Sequence, residues 1–186
     1  LQPVSLYAQT KVEVERALLD KDRFPKLCAT ALRLSTLFGV SARMRFDLTV
    51  NEFVMQLITR RRLVVFGEQF WRPYLHVADA ARAFALVLGR PEDEVRREVF
   101  NVGADDQNFR KEDLLRFIAP LAPGSRIERV HKNEDPRDYR VSFAKIRERL
   151  GYVPAHSVQS GIRELAELIA QGVLPAPESP EFTNTP

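Results

Sequence analysis

Apolar residues recur along this chain with two different spacings, which predict helices that alternate with short strands. Four segments place apolar residues on one helical face, and they are residues 5–20, 47–60, 78–89 and 157–171. Short runs that are mainly apolar or alternate with polar residues predict strands at residues 27–34, 63–66, 73–77, 98–102 and 126–130. Strands alternating with helices predict an α/β fold with a parallel sheet.

Polar residues mark the predicted helix starts, because their side chains can accept hydrogen bonds from the first helical turn. The predicted starts are Asp47, His76 with Asp79, Asn108, Ser142 and Ser157. For His76 and Asp79 this role is favoured over catalysis. The helix from Asn108 is expected to reach about residue 121, and Gly151 is expected to end the helix from Ser142. Residues 173–186 are rich in Pro, Glu, Ser and Thr and are predicted to be a loose tail.

Composition narrows the class of protein. The chain has 186 residues, of which 45% are hydrophobic and 28% charged, as is common for a globular protein with a sizeable core. No apolar run approaches the ~20 residues that span a bilayer, so no membrane partner is expected. The single cysteine, Cys28, excludes a disulfide framework within the chain and favours a cytoplasmic location. Its apolar neighbours predict that it belongs to the core.

The net charge of +3 raises the question of an anionic partner. Apart from Arg60, Arg61 and Arg62 the arginines are scattered, and the sequence has no basic tail. Binding to nucleic acid is therefore not expected. The three histidines are far apart and lack the spacing of metal ligands, so no metal site is predicted.

Tyr7 and Lys11 are the first candidates for catalysis. They are four residues apart in a predicted helix and therefore share a face. A nearby cation stabilises the phenolate form of tyrosine, so such a pair can take a proton from a hydroxyl group. On the spacing alone a solvated helix face is the favoured interpretation, so a catalytic role needs support from the rest of the chain.

Short stretches in a fixed order provide that support over residues 1–168. These stretches are Ser5–Lys11, Leu32–Gly39, Arg43–Asn51, Val65–Gly67, Trp71–Ala83, Phe100–Gly103, Asp138–Tyr152 and Gly161–Leu165. Their order and spacing resemble the extended short-chain dehydrogenase/reductase family, in particular its NAD-dependent nucleotide-sugar epimerases and dehydratases. The resemblance implies the C-terminal elements of a Rossmann-type parallel sheet together with a small mixed α/β substrate-binding lobe.

The resemblance also implies a division of the chain. Residues 1–44 would complete the NAD-binding Rossmann domain, and residues 73–105 would return to its sheet as strand, helix and strand. Residues 45–72 and 106–172 would form the substrate lobe. The family's glycine-rich turn, G-x-x-G-x-x-G, does not occur in the sequence, and the first residue is Leu1. We therefore expect the chain to be the C-terminal half of such an enzyme and to be inactive when isolated.

Roles for ten residues follow from the resemblance. Tyr7 would be the catalytic base or acid, and Lys11 would hold the nicotinamide ribose and tune Tyr7. Arg72 would grip the substrate diphosphate, for which a guanidinium is well suited. Arg137 is favoured over Lys132 as a second cation. The expected NAD-binding residues are Tyr7, Lys11, Leu34 and Ser35. The expected residues for a nucleotide-diphosphate sugar are Thr36, Asn51, Phe66, Arg72, Lys132 and Arg137.

Several of these residues have alternative interpretations. Arg72 could form a surface cation–π pair with Trp71. Asn51 could be a capping or exposed helix residue, and Phe66 could belong to the hydrophobic core. Asn101 is interpreted as a turn residue rather than a ligand.

The expected reaction moves a hydride from a sugar carbon, C4, to NAD while Tyr7 accepts the hydroxyl proton. The resulting 4-keto sugar would either regain hydride on the opposite face, as in an epimerase, or lose water across C5–C6, as in a dehydratase. The resemblance slightly favours the epimerase. The alternative from another class is an inactive fragment that serves as a binding or interaction module. Family members commonly pair through the tyrosine helix, so a homodimer is expected.

Overall fold

The computed structural model describes residues 2–133, 138–174 and 176–184. Helices and strands alternate along these residues. The helices are α1 (Leu6–Leu19), α2 (Thr49–Arg60), α3 (Val77–Leu88), α4 (Glu92–Val95), α5 (Lys111–Ile118), α6 (Ala144–Leu150) and α7 (Val158–Ala170). The strands are β1 (Thr30–Leu34), β2 (Thr36–Phe38), β3 (Arg62–Phe66), β4 (Trp71–His76), β5 (Glu98–Val102), β6 (Asn108–Arg110) and β7 (Arg126–Val130).

The strands pair mainly in parallel, which confirms the predicted α/β class. β1 runs parallel to β5, with Leu32 opposite Phe100. β2 runs parallel to β4, and β3 runs parallel to β7. β6 pairs antiparallel with the start of β4. Each parallel pair is joined through at least one helix, as parallel connections require.

A first hydrophobic core lies between the β1–β5 pair and the helices α3 and α6. Phe100 and Val102 of β5 are fully buried there, against Ile146 and Leu150 of α6. Cys28 is half-buried at the margin of this core, close to the role predicted for it. α6 is followed by Gly151, whose φ of 66° lies in the left-handed region that glycine adopts at little energetic cost.

A second core is built from α2, α5, α7 and the β3–β7 pair. α7 buries Val158, Ile162, Leu165 and Ile169, which recur at helical spacing and form one continuous face. Full burial of a side chain of this size stabilises a fold by about 1.5–3 kcal/mol. The boundaries of the two lobes stay a prediction, and α6 packs in the first core although residues 106–172 were expected in the substrate lobe.

Two of the predicted N-caps are wrong. α2 begins after Leu48, which makes no capping bond, because the Asp47 carboxylate is engaged by Arg45. Asn108 lies in β6 and bonds both backbone groups of Val141, donating to its oxygen at 3.0 Å and accepting from its nitrogen at 2.9 Å. An asparagine amide can pair in this way because it carries the same donor and acceptor as a backbone.

The other caps lie close to their predicted places. Ser157 accepts a hydrogen bond from the Ser160 nitrogen at the start of α7. The Nδ1 atom of His76 accepts one from the Ala78 nitrogen and caps α3. Ser142 accepts a longer bond of 3.4 Å from the Ala144 nitrogen, one residue before the cap position of α6.

Residues 176–184, here called the C-terminal segment, differ from the loose tail that was predicted. The Phe46 nitrogen donates to the Phe182 oxygen at 2.8 Å, and the two rings meet edge to face. Glu178 accepts hydrogen bonds from Thr59 and Arg60 of α2. The prediction of a loose tail followed from the polar composition and overlooked Phe182, which packs against the second core.

Among the helices of the described residues, none combines the length and apolar character needed to cross a membrane.

Candidate active site

The first part of the site lies where the parallel strands β1 and β5 end. Ser35 follows β1 directly, is 8% exposed, and donates from Oγ to the Val102 oxygen at 2.9 Å. Gly103 follows β5, and a Cβ atom there would come within 2.6 Å of the Ser35 Oγ. Only glycine therefore allows this close approach. Open α/β sheets bind their ligands beyond the carboxyl ends of such strands.

A cavity of 470 Å³ opens at this point and is here called the strand-end cavity. Leu34 and Ser35 line it, as expected for the two residues predicted to lie by the nicotinamide. Asn101, interpreted from the sequence as a turn residue, also lines it, and so does Tyr139.

A second cavity, of 320 Å³, is here called the arginine-lined cavity because Arg43 and Arg45 form part of its wall. The predicted substrate residues Thr36 and Asn51 line it as well. The structure thus divides the predicted residues between two cavities, although Ser35 and Thr36 are adjacent in the chain.

Asn51 is 2% exposed, so its interpretation as a capping or exposed residue is wrong. Its Oδ1 accepts a hydrogen bond from the Gly39 nitrogen at 2.9 Å, and its Nδ2 donates to the Arg45 oxygen at 3.0 Å. Asn51 therefore holds together the loop between β2 and α2, and in doing so it shapes the arginine-lined cavity.

Arg45 and Asp47 form a bidentate ion pair beside this cavity, with Nε–Oδ1 and Nη2–Oδ2 distances of 3.0 and 2.5 Å. The hydrogen bonds from Arg45 lower the pKa of Asp47 below its usual value. Those bonds likewise raise the pKa of Arg45, and the phenol of Tyr7 adds a smaller electrostatic contribution in the same direction.

Tyr7 and Lys11 share a face of α1, as their spacing predicted, with the Lys11 Nζ 5.5 Å from the centre of the Tyr7 ring. The helix is capped by Ser5, whose Oγ accepts from the Ala8 nitrogen. Tyr7 is 72% exposed in this chain. An ion pair from Glu15 of α1 to Arg33 of β1, with distances of 2.8 and 2.6 Å, ties the helix to the strand-end cavity that Arg33 lines.

Arg72 is 8% exposed and therefore not the surface residue of the alternative interpretation. Its Nη1 donates to the Trp71 oxygen at 2.6 Å, and its guanidinium lies 5.8 Å from the centre of the Tyr139 ring. The Trp71 ring is flanked by Arg110 and Arg140 at 4.9 and 5.0 Å. A buried guanidinium next to the strand-end cavity suits the binding of an anion.

Phe66 and Lys132 come together at the end of β3, with the Lys132 Nζ 5.4 Å from the centre of the Phe66 ring. Phe66 is 49% exposed, so its interpretation as a core residue is wrong. Arg137, favoured over Lys132 as the second cation, lies outside the described residues.

Sequence reasoning missed Arg43, Arg45 and Tyr139 as residues that line the cavities. A signal for the two arginines was present in the alternation of residues 43–47. Met44 and Phe46 are 3% and 5% exposed, and the two arginines that alternate with them line the cavity. Tyr139 carried no comparable signal, because it lies in a loop without periodicity.

Comparison with known proteins identifies the family. Residues 1–103, more than half of the chain, match the NAD dependent epimerase/dehydratase family. The chain belongs to this family. A UDP-glucose 4-epimerase of Corynebacterium glutamicum is 25% identical over 177 residues, which are 84% of this chain and 51% of the relative. A dTDP-glucose 4,6-dehydratase of an Actinoplanes species is 30% identical over 169 residues, 88% and 51% of the two chains.

Solved structures of similar proteins confirm the Rossmann-like fold of the epimerase/dehydratase family. A UDP-glucose 4-epimerase of Thermotoga maritima with UDP-glucose is 25% identical, with a TM-score of 0.75 over 92% of this chain and 55% of that one. A dTDP-glucose 4,6-dehydratase of Bacillus anthracis in complex with NAD is 21% identical, with a TM-score of 0.78 over 94% and 55%. The chain spans about half the length of the curated relatives it matches.

NAD is the cofactor of this epimerase/dehydratase family, and the residues of the chain fit one end of it. Tyr7 and Lys11 present a phenol and an ammonium on one helix face, and Leu34 and Ser35 line the strand-end cavity. These groups could hold the nicotinamide and its ribose. The glycine-rich turn that binds the pyrophosphate at a helix N-terminus does not occur in the sequence.

Proposed function

We propose that this chain carries the catalytic Tyr7–Lys11 pair and the sugar-nucleotide site of an NAD-dependent epimerase or dehydratase. The observation that carries the proposal is the position of that pair. Lys11 is 5.5 Å from the centre of the Tyr7 ring. Thr36 and Asn51, which the proposal assigns to the substrate, both line the arginine-lined cavity.

Tyr7 would accept the proton of a sugar hydroxyl, on C4 of a hexose. Lys11 lies beside Tyr7 on the same helix face, and general base catalysis of this kind contributes about 10²–10⁴-fold to a rate. NAD, when bound, supplies the acceptor for the hydride that leaves the same carbon. The sugar becomes a 4-keto sugar, since its hydroxyl proton passes to Tyr7 and its carbon loses a hydride.

Arg72 would bind the diphosphate of the substrate. Its guanidinium is already desolvated and oriented by the Trp71 oxygen, so little side-chain freedom would be lost on binding. Phe66 would stack against the nucleotide base. Lys132, whose ammonium group lies 5.4 Å from the centre of the Phe66 ring, would serve as a second cation. Arg137 keeps its proposed role beside the diphosphate on the strength of the family resemblance.

Epimerisation and dehydration share this first step and differ in what happens to the 4-keto sugar. An epimerase returns hydride to the opposite face, and a dehydratase removes water across C5–C6. Curated relatives of both kinds match the chain at 25% and 30% identity, so the proposal covers both reactions.

A binding or interaction module without activity is the second candidate. It is supported by one observation, the lack of a G-x-x-G-x-x-G turn in the sequence. Membership of an enzyme family favours the first candidate. A cytoplasmic location remains part of the proposal because the single cysteine suits a reducing compartment.

The test incubates the full-length protein with NAD and a panel of UDP-, dTDP-, GDP- and CDP-sugars and identifies the products by NMR. We expect one nucleotide sugar to be converted. Tyr7→Phe should abolish turnover while nucleotide-sugar binding, measured by calorimetry, persists. Near-normal turnover by Tyr7→Phe would refute the role of Tyr7, and binding without turnover by the unaltered protein would favour the module.

A further inference from the structure

Arg43 and Arg45 line the arginine-lined cavity, and the proposed function gives neither of them a role. Both point the same way, because the alternating residues Met44 and Phe46 are buried in the second core. Arg43 is exposed and Arg45 is half-buried, so both guanidinium groups lie where a ligand of this cavity can reach them.

The charges of these two arginines are balanced differently. The Asp47 carboxylate neutralises Arg45 through two hydrogen bonds of 3.0 and 2.5 Å. Arg43 donates from Nη2 to the side-chain oxygen of Asn184 at 3.0 Å, and an amide is neutral. Among the described residues, Arg43 forms no ion pair with a carboxylate, so its positive charge is available to a ligand of the cavity.

The C-terminal segment holds this arrangement in place. Asn184 accepts from Arg43 with its side chain, and its nitrogen donates to the Asp47 Oδ2 at 3.4 Å. The neighbouring Phe182 is fixed by its backbone bond and ring contact with Phe46. Asn184 therefore connects directly to Arg43 and, through Asp47, to Arg45.

We propose that Arg43, positioned by Asn184, binds an acidic group on the sugar, so that the substrate is a nucleotide uronic acid with a carboxylate at C6. This inference rests on the proposed function, which puts the reacting C4 beside Tyr7. C6 is two bonds from C4, so its carboxylate would lie within a few ångströms of the reacting carbon, in the same cavity. A guanidinium can bind a carboxylate through two parallel hydrogen bonds.

The substrate diphosphate does not explain Arg43 equally well. Arg72, the residue proposed for the diphosphate, is oriented by Trp71 and Tyr139, and Tyr139 lines the strand-end cavity instead. Two cationic groups beside two cavities suit a ligand with two separate anions, which a nucleotide uronic acid has and a nucleotide hexose lacks.

The test compares UDP-glucuronic acid with UDP-glucose by calorimetry, with and without NAD. A second pair, glucuronic acid 1-phosphate and glucose 1-phosphate, makes the same comparison without dependence on the nucleotide base. We expect the acid of each pair to bind about tenfold more tightly, the size of one charge-assisted contact.

Arg43→Gln should abolish this preference, and Asn184→Ala should reduce it severalfold. Arg62→Gln, which removes an exposed arginine paired with Glu128 on another face, should leave it unchanged.

The outcomes separate the two proposals. Equal binding of acid and neutral sugar would overturn the role of Arg43 while leaving the proposed function intact. A preference that survives Arg43→Gln would also overturn it and would point to Arg72. Failure of all four ligands to bind would overturn this inference, and the wider panel of nucleotide sugars would then decide the proposed function separately. A preference lost in Arg43→Gln and unaffected by Asn184→Ala would refute the positioning role of the C-terminal segment.

Discussion

α1 and α7 have similar lengths but differ in how much of their surface is buried against the rest of the chain. α7 has 13 residues and buries six of them in the second core, while α1 has 14 residues and buries none. α1 nevertheless carries Tyr7 and Lys11, and it is attached to the described chain through the Glu15–Arg33 ion pair. The proposed catalytic pair therefore lies on one of the least anchored elements.

This difference shows how stability and function are divided in the chain. Residues that determine the fold sit on α2, α5 and α7, where apolar side chains repeat on one buried face. Residues that are proposed to act on a ligand sit at strand ends and on an open helix face, which require few apolar contacts of their own.

The largest effect should come from a matched pair of leucine substitutions. Leu165→Ala in α7 removes a side chain with no exposed surface and should lower the free energy of unfolding by about 2–5 kcal/mol. Leu18→Ala in α1, at a position 42% exposed, should change it by less than about 0.5 kcal/mol. Urea denaturation followed by circular dichroism measures both values. Similar losses in the two variants would mean that α1 is packed as α7 is.

A smaller effect should come from Asp79, whose side chain is fully buried at the start of α3. Burial by itself raises a carboxyl pKa, but hydrogen bonds from the Ala155 and His156 nitrogens and from Arg82 outweigh it and hold the pKa of Asp79 below its usual value. Because the folded-state pKa is the lower one, this stabilisation is present above about pH 4 and is lost as the pH falls through the folded-state pKa.

Asp79→Asn should therefore lower the free energy of unfolding at pH 7 by about 1–3 kcal/mol, and the difference from the unaltered chain should shrink as the pH falls from 4 to 2. Denaturation curves at several pH values measure this. Asp22→Asn, at an exposed position near the end of α1, is the control and should have little effect at any pH. A difference that is constant with pH would contradict an ionised, stabilising Asp79.

The spacing of apolar residues was sufficient to predict α2, α3 and α7, because each of these helices buries one continuous face. It could not predict β2 and β6, since three residues are too few to establish a period. It also missed the docking of the C-terminal segment, where a single aromatic residue, Phe182, decides the outcome in a polar stretch.

The candidate site was only partly predictable for a related reason. Tyr7, Lys11 and Arg72 follow from ordered motifs that resemble a family, and their proposed roles stay predictions. The burial of Asn51 could not be read from its polarity, because the Gly39 nitrogen and the Arg45 oxygen that satisfy its amide come from a loop. The Arg43 guanidinium is hydrogen-bonded to Asn184, which is 141 positions away, and the sequence pattern could not predict a contact at that distance along the chain.

The smallest effect on stability, and the sharpest test of why α1 is exposed, concerns the proposed homodimer. Leu6 is 75% exposed and lies about 100° around the helix from Tyr7, and we propose that this apolar side chain of α1 packs against a second copy without covering Tyr7 and Lys11. Leu6→Glu would place a carboxylate in that contact, so it should shift the protein toward monomer in light scattering. The free energy of unfolding of the monomer should change by less than about 0.5 kcal/mol. Val153→Glu, at another exposed apolar position, is the control and should leave the mass unchanged. A monomer in the unaltered protein would contradict the dimer, and the exposure of α1 would then need another partner.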